Sequence, residues 1–517
     1  MTDPLVLVFD IGTQSTRAVL VSPDGTVVDR EQRVYHPAYY STQPNRAEQR
    51  PEFYYEHICA ASRTLMERNP AYRERLCACA ITVFRDSVVC LDREGKPLTD
   101  CILWLDKREA RHLRPLPLGR RILFRLVGMG PSVDMLHRMS VCNWLAENEP
   151  ELWDRTDRYV MLSTYLQFRL TGRMADSEAA QMGHVPFDYK HRTWDKNGLS
   201  RCLYNVPNDK LCELVPGGTT LGPITAETAA LGALPTGLPV IATGSDKGCE
   251  TLGLGVLRPD EASLSFGTSA TVQFATRRYF EPEPFLPSYP AIPHDLYNAE
   301  VQLYRGYWML SWFKKNFASE VCDEAERLGC SAEELLNRHL DEVPPGCDGL
   351  MMLPHWAPGV STPGARGAMI GFSDDHGKYH VYRAIIEGIN FGLMEGLLRM
   401  QKRSGQRIRY LYVGGGGSRS DEICQITADM FGLPVRRIHT QDACSLGAAM
   451  CVMVSQGIWP DYETAVANMR RIDREFQPDA ARHQIYERLY RTVYAQTYRT
   501  LAPLHRRLIA LTERTGD

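Results

Sequence analysis

Residues 5–9 (LVLVF) form an unbroken apolar run. The chain then turns polar through Asp10-Ile11-Gly12-Thr13-Gln14-Ser15-Thr16, and an apolar run resumes at residues 18–21 (AVLV). Short continuous apolar runs predict strands buried on both faces. A third strand is predicted over residues 26–29, and Ser22-Pro23-Asp24-Gly25 before it has the composition of a hairpin turn. Further strands are predicted at 86–92, 239–243, 409–413 and 434–438, with two more across 263–274 flanking Gly267-Thr268-Ser269. Helical patterns fall near 141–148, 163–170, 306–318, 379–403 and 421–431. Between 186 and 225 the pattern dissolves into Pro, Gly and polar residues. Strands alternating with helices predict an α/β fold.

One long-range echo organises this pattern. "FDIGTQSTRAVLV" and "LSFGTSATVQFA" each contain an apolar strand, a Gly-Thr, a small hydroxyl residue and a second apolar strand. About half the chain separates them, which predicts two related domains, 1–254 and 255–517. A chain of 517 residues is also too long for one typical core.

Composition narrows the class. Hydrophobic residues make up 44% and charged residues 23%, as in an ordinary soluble globular protein. Lys and Arg total 59 against 62 Asp and Glu, a net charge of -3, which argues against a nucleic-acid partner. No apolar stretch reaches the ~18 residues of a membrane span. The N-terminus also lacks a basic region followed by a long apolar one, so a cytoplasmic location is expected. The 15 cysteines are odd in number and sit mostly in apolar segments, as reduced thiols do. Cys77-x-Cys79 has no partner pair at zinc-site spacing.

The candidate chemistry lies in the polar interruptions. Neither a G-x-x-x-x-G-K-[ST] loop nor a complete G-x-G-x-x-G after a strand occurs. The segment from Asp10 to Thr16 offers another device: glycine admits close approach of phosphate, while hydroxyls and successive amides donate to it. Asp10 at the strand end suits Mg²⁺, a hard cation that takes oxygen ligands. A structural turn with a side-chain cap explains the same residues equally well. The second loop, Gly267-Thr268-Ser269, shifts the balance, since two such hairpins can grip a triphosphate from both sides. Gly414-Gly415-Gly416-Gly417-Ser418 holds more glycine than a turn requires, each at an entropic cost, and offers bare backbone to a purine or ribose. "DACSLGAAM" (442–450) then reads as a helix whose small residues allow close packing.

Taken together, "FDIGTQSTRAVLV", "ILWLDKR", "GSDKGCETLGLG", "LSFGTSATV" and "YVGGGGSRSDEICQITADMFGLPV" with "DACSLGAAM" resemble the FGGY carbohydrate kinases of the actin-like ATPase group. The matching stretches run in the family's order from residue 5 to about 452. The resemblance implies two ribonuclease-H-like domains with a cleft, binding ATP and Mg²⁺, and transfer of the γ-phosphoryl group to a hydroxyl of a ketose or polyol. It implies Asp246 as catalytic base, where the residues alone would favour a helix N-cap. It implies substrate contacts from Arg85 and Asp86, a donor fork beside an acceptor, and from Trp104, Asp106 and Lys247. On the nucleotide side it implies Thr13, Gln14, Ser15, Arg17, Gly267, Thr268, Gly415 and Gly416, with Gly306 near the adenine and Ser420 where some relatives carry Asn. Asp10 would be the metal ligand. The expected partner is a small sugar or polyol, and a homodimer is allowed.

Departures from the family pattern bear on the substrate. Phe84 and Lys247 stand where glycerol kinases carry Gln, and Val141 stands three residues before Trp144 where Lys is usual. A cation at Lys247 would favour an acidic or larger substrate. Two other readings stay open on the residues alone: an actin-like ATP-binding module, and a sugar sensor without kinase activity.

Overall fold

The first three strands form an antiparallel meander, β1 (Leu5–Ile11), β2 (Ser15–Val21) and β3 (Val27–Val34). The computed structural model describes residues 3–513 apart from 113, 114, 127, 197, 358, 360, 361 and 363. All of β1 is buried, so its pattern is continuous rather than alternating, as expected of a strand covered on both faces. On one face Leu5, Leu7 and Phe9 join a core with Tyr54, Ile58 and Leu65 of α1 (Pro51–Arg68). Pro51 opens that helix, where its missing N–H costs nothing. The chain returns as β4 (Leu76–Val83), parallel to β1. Later β5 (Thr220–Pro223) and β6 (Pro239–Ile241) complete the sheet in the order β5-β6-β4-β1-β2-β3. Helix α2 (Asp246–Gly253) follows β6.

A second sheet repeats this plan. β7 (Glu261–Phe266) and β8 (Ala270–Thr276) form an antiparallel hairpin, and β9 (Tyr297–Leu303) extends it. Helix α3 (Lys378–Ser404) leads into β10 (Tyr410–Gly414), which lies parallel to β7. Helix α4 (Asp421–Phe431) then connects to β11 (Val435–Ile438), parallel to β10. A short strand, Tyr289–Pro290, lies at the edge of this sheet beyond β9. The other six of its seven strands run β9-β8-β7-β10-β11-β12, where β12 is Ile472–Phe476. Strand for strand this matches β3-β2-β1-β4-β6-β5, including the antiparallel outer pair β11–β12 that corresponds to β6–β5. The echo in the sequence is therefore two copies of one five-strand plan, each with its hydroxyl-bearing loop at the same corner. The outermost strand precedes its neighbour in the chain in the first sheet and follows it in the second. The fold is α/β, with two mixed sheets.

Helix α5 (Ala443–Ser455) lies between β11 and β12 in sequence, yet it packs on β1, β4 and α2. The first compact unit accordingly runs to Gly255 and also holds Ser288–Asn298 and Asp442–Arg471; the second holds Val256–Pro287, Ala299–Gln441 and the chain from Ile472 onward. A single cut at 254/255 leaves those two inserted segments out of the first unit. The physical reason is that α5 is apolar nearly all round, with Leu446, Ala448, Met450 and Val452 fully buried, and it provides the cover for the second face of β1. Among the described residues no helix is long and apolar enough to cross a membrane.

Candidate active site

The β1–β2 register places Asp10 directly opposite Arg17, and the two form an ion pair at 2.8 Å. Arg17 takes Oδ2 of Asp10, while Oδ1 has no hydrogen bond among the described residues. Burial holds the Asp10 carboxyl above its ordinary range; Arg17 opposes this, and the charges of Asp246 and Asp442 push it further up. Asp10 thus feels two further carboxylates of the first unit, and a cation would relieve that repulsion. No group of three or more His, Cys, Asp or Glu among the described residues is arranged to hold a metal by itself. A single Asp10 carboxylate with one oxygen engaged by Arg17 would suit Mg²⁺, which keeps several waters and needs only one or two carboxylates besides phosphate.

The loop between β1 and β2 presents Gly12, Thr13 and Gln14. Thr13 Oγ1 accepts the indole N–H of Trp104 at 3.1 Å, and the Gln14 carbonyl accepts Tyr35 N–H at 2.9 Å. Ser15 is already in β2, buried, with its hydroxyl accepting from Gln32 Nε2 at 3.1 Å. Of the three loop candidates, Ser15 belongs to the sheet more than to the loop.

Asp246 is the first residue of α2. The cap is Ser245, whose side chain accepts from Gly248 N–H, so the helix does not need Asp246 for that purpose. Its carboxylate is partly exposed, with Oδ1 accepting Lys247 N–H at 2.8 Å and lying 3.7 Å from Arg85 Nε. Burial raises its pKa; Arg85, Lys247 and the Lys247 N–H oppose the rise, and Glu250 adds to it. The helix is held by unusually close packing on α5. A Cβ at Gly253 would sit 1.9 Å from the Ala443 carbonyl oxygen, and one at Gly447 would sit 1.9 Å from that of Cys249.

Several expected substrate contacts prove to be engaged elsewhere. Lys247 Nζ pairs with Glu250 at 2.8 Å, one helical turn away, so its charge is met inside the protein. Asp106 accepts Nε and Nη2 of Arg108 and the N–H groups of Ala47 and Arg108, all at 2.8–2.9 Å. With its side chain 2% exposed, that carboxylate has no capacity left for a sugar hydroxyl. Asp86 does not stand beside Arg85 as a free acceptor: both its oxygens are taken by His184. Arg85 itself reaches Ser245 Oγ at 3.2 Å and lies over the Tyr289 ring. Trp104 remains half-buried beside the Thr13 loop.

In the second unit, Gly267 and Thr268 form the corresponding loop between β7 and β8. Gly306 is buried beneath it: its N–H bonds the Thr268 carbonyl at 2.9 Å, and a Cβ there would lie 2.3 Å from Ala270 N. It is a packing glycine supporting the loop. The glycines after β10 divide similarly. Gly415 has φ +80° and its added Cβ would meet the Phe266 backbone at 2.8 Å, whereas a Cβ at Gly416 would meet nothing within 4 Å. Ser420 caps α4, accepting from Ile423 N–H and donating to Glu422.

Residues 5–253 match the N-terminal domain, and residues 262–456 the C-terminal domain, of the FGGY family of carbohydrate kinases. The chain belongs to that family. An uncharacterised sugar kinase, YgcE, of Escherichia coli is 29% identical over 498 residues, covering 96% of this chain and 93% of the relative. A gluconokinase of Bacillus licheniformis is 26% identical, covering 87% and 88% of the two chains. The crystal structure of a xylulose kinase from Rhodospirillum rubrum superposes with a TM-score of 0.80 at 26% identity, covering 97% of this chain and all of the other. As an FGGY kinase the protein is a phosphotransferase with an alcohol acceptor, in a family that uses ATP.

Three residues of this FGGY site were not singled out by the sequence. Glu250, four residues after Asp246, shares its helix face, and that spacing could have revealed it. Asp442 at the start of α5 and His184 carry no local signal; only the tertiary structure brings them to Asp10 and Asp86.

Proposed function

We propose that this FGGY kinase transfers the γ-phosphoryl group of ATP to a hydroxyl of a small sugar or sugar-derived acceptor, with Asp246 as the general base. The acceptor classes in view are ketoses and polyols, to which the relative named gluconokinase adds sugar acids. The observation carrying this reading is the state of Asp246: a partly exposed carboxylate at a helix start that Ser245 already caps, beside the Arg85 guanidinium. A sugar hydroxyl is a poor nucleophile, and a carboxylate in reach accepts its proton as the new P–O bond forms. The raised pKa of Asp246 makes it a stronger base than a free carboxylate.

The loop residues Thr13 and Gln14 are assigned to phosphate oxygens, as are Gly267 and Thr268 in the equivalent loop of the second unit, and Gly416 to nucleotide lying on open backbone. Arg17, held by Asp10, adds positive charge beside the first loop. Asp10 is assigned to Mg²⁺, which supplies neutralisation of phosphate charge when bound. A coupled ADP-release assay over ketoses, polyols and sugar acids, with Asp246→Asn as the blank, tests the reading. Turnover in the variant equal to wild type would remove Asp246 from the mechanism.

A further inference from the structure

We propose that His184 selects the acceptor, donating from its Nε2 to the carboxylate of a sugar acid, and that Asp86 is the positioning residue that fixes its ring. The inference rests on the kinase reading above and narrows its substrate class. Asp86 has φ +53°, a left-handed conformation unfavourable for a residue with a Cβ. That turn aims its carboxylate at a single partner: Oδ1 accepts the backbone N–H of His184 at 2.8 Å, and Oδ2 meets Nδ1 at 2.7 Å. Gly183 makes the approach possible, since a Cβ there would lie 2.2 Å from Asp86 Oδ1. With Nδ1–H donated to Asp86, the other nitrogen is left for a ligand. Nε2 has no hydrogen-bond partner among the described residues, and the side chain is 23% exposed.

The pair also lies close to the proposed base. Asp86 N–H bonds the Met182 carbonyl at 3.1 Å, the Met182 sulfur lies 3.5 Å from Ser245 Oγ, and Ser245 precedes Asp246. Arg85, next to Asp86, reaches Ser245 and Asp246.

The charge balance points to an acid. Lys247 and Arg108 each place their charge on an internal carboxylate, and Arg17, held by Asp10, stands beside the first phosphate loop. Burial alone would lower the His184 pKa, but the charge and hydrogen bond of Asp86 outweigh it and hold the imidazole above its ordinary range. The groups around it are Asp86 with Arg85 next to it in the chain, Tyr189, whose hydroxyl accepts from Gly183 N–H, and the edge-on ring of Tyr204. An imidazolium donating to a carboxylate is a charge-assisted bond, about twice as strong as a neutral one. A neutral ketose gains little from it.

The test is steady-state ADP release by the full chain with D-gluconate, shorter aldonates, D-xylulose and glycerol, from pH 6 to 8.5, with melting curves for each variant. An aldonate is expected to be the preferred acceptor, and its KM should rise as pH climbs through the His184 titration and the imidazolium is lost. His184→Gln should raise that KM about 10- to 100-fold, with a smaller change in kcat, and flatten its pH dependence. Asp86→Asn should move the rise in KM to lower pH. Turnover of neutral sugars alone, or an aldonate KM unmoved in His184→Gln, would overturn the inference while leaving the kinase reading intact. If no acceptor is turned over, the kinase reading has failed separately. Calorimetric titration of D-gluconate into wild type and His184→Gln then decides, and equal or absent binding in both overturns the inference.

Discussion

Asp10 and Asp246 both carry a proton more tightly than a free carboxylate, and burial is the first cause in each case. A base must be ionised to work, so kcat/KM should fall on the acid side as pH drops through these raised values, at higher pH than the ordinary 3.8. A pH–rate profile checks this; an acid limb at or below pH 4 would contradict it. Asp246→Asn should cut the sugar-dependent rate by ~10²–10⁴. The same linkage fixes its effect on stability. Between the unfolded and folded pKa values the native state binds more protons, so stability from this group falls as pH rises through that window. Removing the charge should therefore not lower the melting temperature at pH 7, which separates a catalytic loss from a folding one.

Helix α2 carries Asp246 at its first residue, and the place of that residue depends on the crossing with α5. At Gly447 the neighbour is a backbone carbonyl at 1.9 Å from a would-be Cβ, which has no rotamer by which to yield. Gly447→Ala should destabilise by about 3 kcal/mol or more, at the upper end of overpacking costs, measured by urea unfolding. The loop after β10 offers a matched pair. Gly415→Ala combines a left-handed φ with a clash against Phe266 and should cost ~1–3 kcal/mol. Gly416→Ala meets nothing and should leave stability within about 0.5 kcal/mol. If Gly416 is the open backbone on which nucleotide lies, the alanine should nevertheless raise KM for ATP. An unchanged KM would take Gly416 out of the nucleotide site.

For the whole molecule, the consequential feature is that residues 442–471 return to the first unit. A chain ending at Gly255 lacks α5, so Val6 and Val8, both fully buried in the native chain, would lose their cover. Such a fragment is expected to aggregate or bind a hydrophobic dye, and one carrying residues 442–471 on a linker to be better behaved; size-exclusion chromatography and dye fluorescence compare them. Equal behaviour would show that α5 is dispensable to the first core. Two similar hairpins half a chain apart could be read from the sequence as the marks of two related units. The return of α5 could not, because an all-apolar helix shows that it is buried but not which sheet buries it.

By itself the sequence determined the two hairpins that carry the hydroxyl-bearing loops, several further strands, the family and the acid at the start of α2. Each of these is written in neighbouring residues: an apolar period, a turn composition, a motif. The strands at 76–83, 220–223, 297–303 and 472–476 lie outside those predicted. The tertiary structure alone decided which polar groups are already satisfied. Asp106, Lys247 and Ser420 are engaged with other residues of their own unit, Gly306 is packed shut, and Asp86 is turned onto His184, 98 residues away in the chain. A side chain's capacity for a ligand is what remains after its partners are counted, and most of those partners come from distant parts of the chain.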